Sequence, residues 1–324
     1  MPSHYVIGLD MGGTNIRCAA VSPSGRVMLL RRAPSEAGAS APAVASNIAA
    51  QIRALEDAAR RRGMGRARAI GVAVPGPLDV YRGVVMAAPH VKAWRGFPLR
   101  ARLEAELGRH VVVENDANAW ALGEFWRGAA RGHRDVVLLT LGTGIGGGLI
   151  VGGKIVHGRS GMAGELGHIT VEPEGMPCDC GSRGCVEAYA SSSGMRALVA
   201  RRLGARKRMP AQYLDRDGNF SVRAMTCCAR AHDRLALETF SIAGSYLGIA
   251  IASLLNIFNP DLIVIGGGVA GALPHMRKAM TAEVRARAFV AIAAQARIVR
   301  AALGPIGGVV GAAYAAINPV RRQG

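Results

Sequence analysis

One pattern occurs twice in this chain. "HYVIGLDMGGTNIRCAAVSPSGRVMLLRRA", near the start, reads as strand, Gly-rich turn, strand, turn and strand, and "RDVVLLTLGTGIGGGLIVGGKIVHG", from Arg134, reads the same way. Short apolar runs punctuated by Gly, Asn, Ser and Pro are the mark of strands joined by tight turns. A helical stretch follows the first copy at "APAVASNIAAQIRALEDAARRRG", where Val44, Ile48, Ile52 and Leu55 share one face. Two βββ-plus-helix units within 324 residues point to an internally duplicated α/β fold with a cleft between its halves. Identity between the copies is weak, so the duplication rests on the pattern.

The intervening and following segments fill in the plan. After the first helix come a buried strand "AIGVAVPG", a helix near "LRARLEAELG" and the strand "HVVVEND". From about Ser191 to Asn259 the chain reads as largely helical and ends in the apolar "ALETFSIAGSYLGIAIASLLNIF". A turn at Asn259-Pro260 then leads to a buried strand, a triple glycine and another helix. "GGVVGAAYAAI" is a helix of small residues, suited to packing closely on a neighbour, whereas "RKRMPAQYLDRDGNFS" is polar and loop-like and receives no function. Apolar runs such as "VVLLTLG" are strand-length, and none approaches the ~20 residues of a membrane span. The N-terminus opens without a basic region or apolar leader, so a soluble cytoplasmic protein is expected, with no membrane partner. The formal charge is +18, but the arginines are scattered and do not alternate with aromatics. This describes a solvated basic surface and no nucleic-acid partner, although such a surface would attract polyanionic substrates.

Three glycine clusters compete for a phosphate-binding role. "GTGIGG" from Gly142 and "GGGVAG" from Gly266 both fit G-x-G-x-x-G, but a dinucleotide fold needs those glycines to open a helix. The first runs on into the strand "GLIVGGKIV"; the second precedes a helix, yet the next strand, "ARIVRAAL", offers no acid for a ribose hydroxyl. No G-x-x-x-x-G-K-[ST] loop occurs. What remains is a β-hairpin clamp. In "DMGGTNIR", Gly12 and Gly13 allow a tight turn whose N–H groups face a phosphate, Thr14 adds a hydroxyl, and Asp10 is placed to hold a hydrated Mg²⁺. Thr143 and Gly144 offer the same chemistry from the second copy. Together the two read as a bipartite ATP site; the alternative is a pair of ordinary Gly-rich hairpins.

Moving a phosphoryl group onto a hydroxyl needs a base beside that hydroxyl and groups that align both substrates. "VVVENDANAWALGE" places Asn115 and Asp116 where a strand ends and a helix begins. Asp116 suits a general base, and also suits a helix N-cap; the two roles are compatible. Further on, His168, Cys178, Cys180 and Cys185 form a Cys₃His set of the kind that holds a structural, tetrahedral zinc. Cys178 and Cys180 are too closely spaced for a redox C-x-x-C, and a disulfide is not expected in the cytoplasm. Cys18, Cys227 and Cys228 lack such partners and read as ordinary buried or partly buried residues.

"DMGGTNIR", "ENDANAWALGE", "LGTGIGGG", "GELGH", "CDCGSRGCVE" and "IGGGV" stand here in the order in which they occur in the ROK family of bacterial sugar kinases. The chain resembles that family over nearly its whole length. The resemblance implies an α/β, actin-like and hexokinase-like (ribonuclease H-like) duplicated fold of two domains around a central cleft. It implies a small domain of residues 1–117, joined by the C-terminal helix at about 306–324, and a large domain of residues 118–305 with the zinc site and the adenosine-binding part. It implies glucokinase activity, ATP- and Mg²⁺-dependent, with Asp116 taking the proton of the glucose 6-hydroxyl. Asn115, Asp116, Glu165, His168 and Glu187 match the family's sugar ligands, and Gly266, Gly267 and Gly268 would lie beside the adenosine. If His168 binds zinc through one ring nitrogen, the other is left for a sugar hydroxyl. The implied assembly is a homodimer or a dimer of dimers.

One departure bears on specificity. Many members of the family read Ala-Pro-Asn-Leu ahead of a Trp; this chain has "AAPHVKAW", with His90 in place of the Asn expected to touch the sugar, while Trp94 is kept. Imidazole is larger and donates differently, so mannose, fructose or an N-acetylhexosamine stay open as acceptors. The basic surface likewise keeps inorganic polyphosphate open as donor. The family also contains sugar-responsive transcription regulators, which carry a winged helix-turn-helix of roughly 60–80 residues ahead of the first phosphate motif. Nine residues precede Asp10 here, so a kinase is the expectation.

Overall fold

The structure is a computed structural model describing residues 4–87, 94–204 and 208–320. Strands β1 (Tyr5–Met11), β2 (Asn15–Val21) and β3 (Val27–Pro34) lead to helix α1 (Ala41–Arg61) and strand β4 (Ala67–Val74). Then come the short β5 (Leu78–Asp79) and β6 (Val84–Val85), α2 (Leu99–Leu107), β7 (Val112–Asn115) and α3 (Asp116–Arg127). The second series opens with β8 (Val136–Leu141), β9 (Ile145–Val151) and β10 (Lys154–Ile155), followed by α4 (Glu187–Ala190), α5 (Ser192–Leu203), α6 (Val222–Arg230) and α7 (Arg234–Phe258). It closes with β11 (Leu262–Gly266), α8 (Leu273–Arg287), α9 (Val290–Gln295), β12 (Ile298–Arg300) and α10 (Gly307–Ile317). These elements form two compact units. Residues 1–133, 148–164 and 302–324 make the first, and residues 134–147 and 165–301 the second.

The duplication read from the sequence is present in the strand order. One sheet runs β3-β2-β1-β4-β7 and the other β10-β9-β8-β11-β12, so each copy places its three opening strands in reverse order and adds two more beside the first. In the first sheet β1 pairs antiparallel with β2 and parallel with β4, which pairs parallel with β7. In the second, β8, β11 and β12 are parallel neighbours. The architecture is the α/β, actin-like and hexokinase-like fold expected from the motifs.

Within the first unit, β1 is buried along its length and serves both faces of its sheet. Side chains alternate across a strand, so Tyr5, Ile7 and Leu9 join α1 on one side, where Val44, Ile48, Ile52 and Leu55 are fully buried. Val6 joins Val309, Val310 and Ala313 of α10 on the other. The helix of small residues thus finds its neighbours, and glycine is what admits it. A Cβ on Gly8 would lie 1.9 Å from the Val309 carbonyl oxygen, and one on Gly71 would lie 1.9 Å from that of Ala312. Against α3 the approach is as close, since a Cβ on Gly311 would lie 1.5 Å from the Ala119 carbonyl oxygen. Backbone packed on backbone leaves no room for a methyl group, and overfilling such a contact typically costs 1–3 kcal/mol.

In the second unit, α7 and α8 repeat that device, with Gly244 and Gly248 held against the Met276 and Met280 carbonyls. Helix α7 ends at Asn259 in the left-handed conformation, φ +40°, and Pro260 follows, as the sequence indicated. Its 25 residues are long and apolar enough to cross a membrane by composition alone. No unbroken apolar run in the sequence has that length. Helix α7 reaches it by setting small residues such as Gly244 and Ser245 between large ones. Phe240, Leu247 and Ile251 are fully buried, which makes α7 a core helix.

Candidate active site

In the first unit the β1–β2 turn is closed by the Gly12 N–H donating to the Asn15 carbonyl at 2.9 Å. Ser35 supports it, its hydroxyl donating to the Gly13 carbonyl at 2.8 Å. Neither Gly12 nor Gly13 turns through positive φ, and a Cβ on Gly12 would meet only the Asn15 carbonyl oxygen, at 3.5 Å. Left-handed geometry is therefore not what calls for glycine in this turn. The two glycines leave the face of the turn bare, and Gly13 and Thr14 are exposed.

Asp10 lies at the end of β1, almost wholly buried, with Arg17 Nη1 at 3.6 Å from its carboxylate. A Cβ on Gly308, in the first turn of α10, would come within 2.5 Å of its Cγ. Burial pushes the Asp10 carboxyl up to about 6, and the nearby Arg17 guanidinium offsets only part of that. A carboxylate this poorly compensated fits a site for a cation such as Mg²⁺.

At the β7–α3 junction the cap is Asn115, not Asp116. Asn115 Oδ1 accepts from Ala117 N–H at 2.9 Å and Asn118 N–H at 3.1 Å, while its Nδ2 donates to the Gly76 carbonyl. Asp116 is the first helical residue, half-buried, with Oδ1 accepting from Ala117 N–H at 2.9 Å.

Two residues that the sequence did not single out stand beside this junction. Glu114, 2% exposed, accepts from Asn115 N–H and Asn118 Nδ2–H through Oε1, and its Oε2 lies 2.8 Å from His157 Nε2. A carboxylate only accepts, so Nε2 is the donor. Both side chains border a cavity of about 900 Å³, together with Tyr81, Lys154, Arg159 and Tyr314. The available signal was a charged residue inside the apolar strand "VVVEN", which must find a partner if buried.

The second unit holds the other clusters. Cys180 Sγ lies 3.7 Å from Cys185 Sγ, and Cys178 Sγ lies 3.6 Å from His168 Nδ1. All four ligand atoms fall within 4.8 Å of one another. A disulfide would need about 2.05 Å. A tetrahedron with Zn–S bonds of about 2.3 Å has S···S edges of about 3.8 Å, close to the Cys180–Cys185 distance, so the cluster is one that could hold zinc. The loop that presents them is a tight hairpin, with Cys178 N–H bonded to the Ser182 carbonyl and Gly184 at φ +67°. A Cβ there would lie 1.6 Å from the Glu172 carbonyl oxygen, so Gly184 is required on two counts. With Nδ1 turned to the cysteines, His168 Nε2 faces Glu165, 4.0 Å from Oε2. Burial raises the Glu165 carboxyl, His168 lowers it, and the Glu187 charge raises it further.

Glu187 opens α4 and reaches the β8–β9 turn. Its Oε2 accepts from Ile145 N–H at 2.6 Å, and its Oε1 lies 3.8 Å from Cys178 Sγ. Thr143 and Gly144 form the tip of that turn. Behind them Gly267 stands at φ +86°, where a Cβ would lie 2.2 Å from the Leu141 carbonyl oxygen. The Gly266–Gly268 cluster and the Gly142–Gly144 turn are thus brought together within one unit, and the space over Gly268 is open. His90 lies outside the described residues, while Trp94 is fully buried and stacks on Phe97.

The family model for the ROK family matches residues 6–318. Glucokinase of Halalkalibacterium halodurans is 37% identical over 322 residues, covering 97% of this chain and 95% of that protein. The crystal structure of a ROK family glucokinase from Streptomyces griseus, in complex with glucose and AMPPNP, superposes with a TM-score of 0.81 at 34% identity, covering 97% of this chain and 99% of that one. A ROK family transcriptional regulator, homologous to the E. coli MLC protein, superposes with a TM-score of 0.85 at 26% identity, covering 97% of this chain and 78% of the regulator. One body therefore serves kinases and regulators, and fold alone does not choose between them.

Proposed function

This chain belongs to the ROK family, and on that premise we propose that it is an ATP-dependent glucokinase that phosphorylates the 6-hydroxyl of glucose. The observation that carries the reading is the β7–α3 junction. There Asn115 caps α3, and Asp116, the first helical residue, is held as a half-buried carboxylate with Oδ1 accepting from Ala117 N–H. In the reading, Asp116 removes the proton of the attacking hydroxyl, and the Asn115 side-chain amide holds a neighbouring one. Glu165, His168 through Nε2, and Glu187 supply the other sugar contacts.

The turn at Gly12, Gly13 and Thr14 and the turn at Thr143 and Gly144 are assigned to the ATP phosphates, with Gly266, Gly267 and Gly268 beside the adenosine. Asp10 is the residue that would hold Mg²⁺ through water, and this ion would neutralise charge on the transferring phosphoryl group. His168, Cys178, Cys180 and Cys185 would hold zinc, which fixes the imidazole and does no chemistry. Mg²⁺ and zinc both fit residues already in place, since a buried, poorly compensated carboxylate and four suitably spaced soft donors are present before any ion is added.

The test is ADP release with MgATP against glucose, mannose, fructose, N-acetylglucosamine and N-acetylmannosamine, with the Asp116→Ala protein beside it and polyphosphate as a second donor. Turnover strongest on glucose, and reduced by about 10³-fold or more in the variant, is expected. A preference for another hexose would keep the kinase and move specificity to the segment carrying His90. No turnover with either donor would end the reading.

A further inference from the structure

We propose that Glu187 positions the phosphate-binding turn of the second unit, in addition to any contact it makes with sugar; the proposal rests on the kinase reading above. The turn has little structure of its own. Among the described residues, its internal bond runs from Gly142 N–H to the Gly144 carbonyl, at 2.9 Å. Three further bonds reach it from the segment beginning at Glu187. The Glu187 carboxylate takes the Ile145 N–H at 2.6 Å. Ser192 N–H donates to the Gly142 carbonyl at 2.9 Å, and Ser193 N–H to the Thr143 carbonyl at 3.3 Å.

The direction of these bonds decides what the turn can do. In a planar trans peptide the C=O and N–H point opposite ways. With the Gly142 and Thr143 carbonyls tied back toward α5, the N–H groups of Thr143 and Gly144 point to the other side. They form a pair of donors aimed away from the protein support, as an anion site requires. Ile145 N–H, the next in line, is withheld from that pair by Glu187. Gly144 shows how closely the carboxylate is seated, since a Cβ there would lie 2.3 Å from Glu187 Oε2. The glycine of this turn thus makes room for the carboxylate beneath it. The segment is fixed in turn by the cysteine hairpin, where Val186 N–H donates to the Ile169 carbonyl and Ala188 N–H to the Cys185 carbonyl.

A residue that served only the sugar would leave nucleotide affinity alone. The experiment is therefore titration with a fluorescent ATP analogue in the absence of sugar, and with glucose separately, on the unsubstituted protein and on the Glu187→Ala, Glu187→Asp and Glu187→Gln variants. Melting temperature and zinc content are recorded for each. Aspartate keeps the charge but is too short to reach Ile145, whereas the glutamine amide oxygen still accepts that N–H. Loss of a charge-assisted hydrogen bond weakens binding about ten-fold or more, so Ala and Asp should each lose about that much nucleotide affinity, and Gln should stay within about three-fold. Nucleotide affinity unchanged in both Ala and Asp, with glucose binding lost, would overturn the proposal and leave the kinase reading standing. Failure of the unsubstituted protein to bind the analogue would remove both.

Discussion

The turns of the two strand–turn–strand copies, at Gly12 and at Gly144, use glycine for opposite reasons. At the first turn, Gly12 faces almost nothing, with a single carbonyl at 3.5 Å from where its Cβ would be. At the second, Gly144 is pressed onto a carboxylate at 2.3 Å and Gly267 onto the end of β8 at 2.2 Å. Their flanks differ as well. Two residues before its first glycine the first copy carries Asp10, and the second carries Thr140 at the corresponding place. The first turn is bare and brings its own charge, whereas the second is packed and borrows its charge from Glu187. Similar letters in a motif can thus record an empty space in one copy and a full one in the other.

The largest break in that contrast should come from Gly144→Ala. The methyl group must displace the Glu187 carboxylate, and with it the Ile145 bond, so turnover with MgATP should fall about 100-fold, equivalent to about 2.7 kcal/mol. Steady-state kinetics reads this directly, and a change below about three-fold would mean that the carboxylate moves aside at little cost.

A second effect, of comparable size at most, should appear at Asp10, as pH dependence of stability in protein free of divalent cations. Its carboxyl is held near 6 by burial against an ordinary value of 3.8, so the folded state binds a proton more tightly than the unfolded chain. Stability should fall as pH rises from about 4 to about 6 and stay level above, by an order of magnitude of 3 kcal/mol at most. Asp10→Asn should flatten that stretch of the curve in urea melts collected across pH. An unchanged slope would place the titration elsewhere.

The smallest effect belongs to Gly12→Ala. The added methyl meets only an ordinary contact and no strained φ, so stability should stay within about 1 kcal/mol by thermal unfolding. A loss as large as that of Gly144→Ala would erase the contrast between the two turns.

Much of this was legible before any coordinates. The duplication, the apolar face of α1 and the Cys₃His spacing all depend on residues close in sequence, where periodicity and ligand chemistry speak directly. What could not be read was partnership across the chain. "GGVVGAAYAAI" announced close packing without saying on what, because Gly8, Gly71 and Ala119 lie far away in sequence. Asp116 and Asn115 were equally good caps on paper, and only the helix start separates them. Glu114 drew no attention in the sequence, and its histidine stands 43 residues downstream. Glu187 read as a sugar ligand, since nothing local reveals that its second oxygen supports a turn far upstream.

Helix α10 carries a consequence for how the protein is made. A ribosome releases the chain from its N-terminus, and domains generally fold as their residues emerge. Residues 134–147 and 165–301, which make up the second unit, are all available before residue 302 appears. The sheet of the first unit is synthesised earliest, yet one face of it, around Val6, Ala19 and Val21, is covered by Val309, Val310 and Ala313. Glu124, fully buried, completes its bonds only when the Ala302 and Leu303 N–H groups arrive. The first unit to be synthesised is thus the last to be finished, and its bare apolar face waits through most of translation for a helix without a single charged side chain.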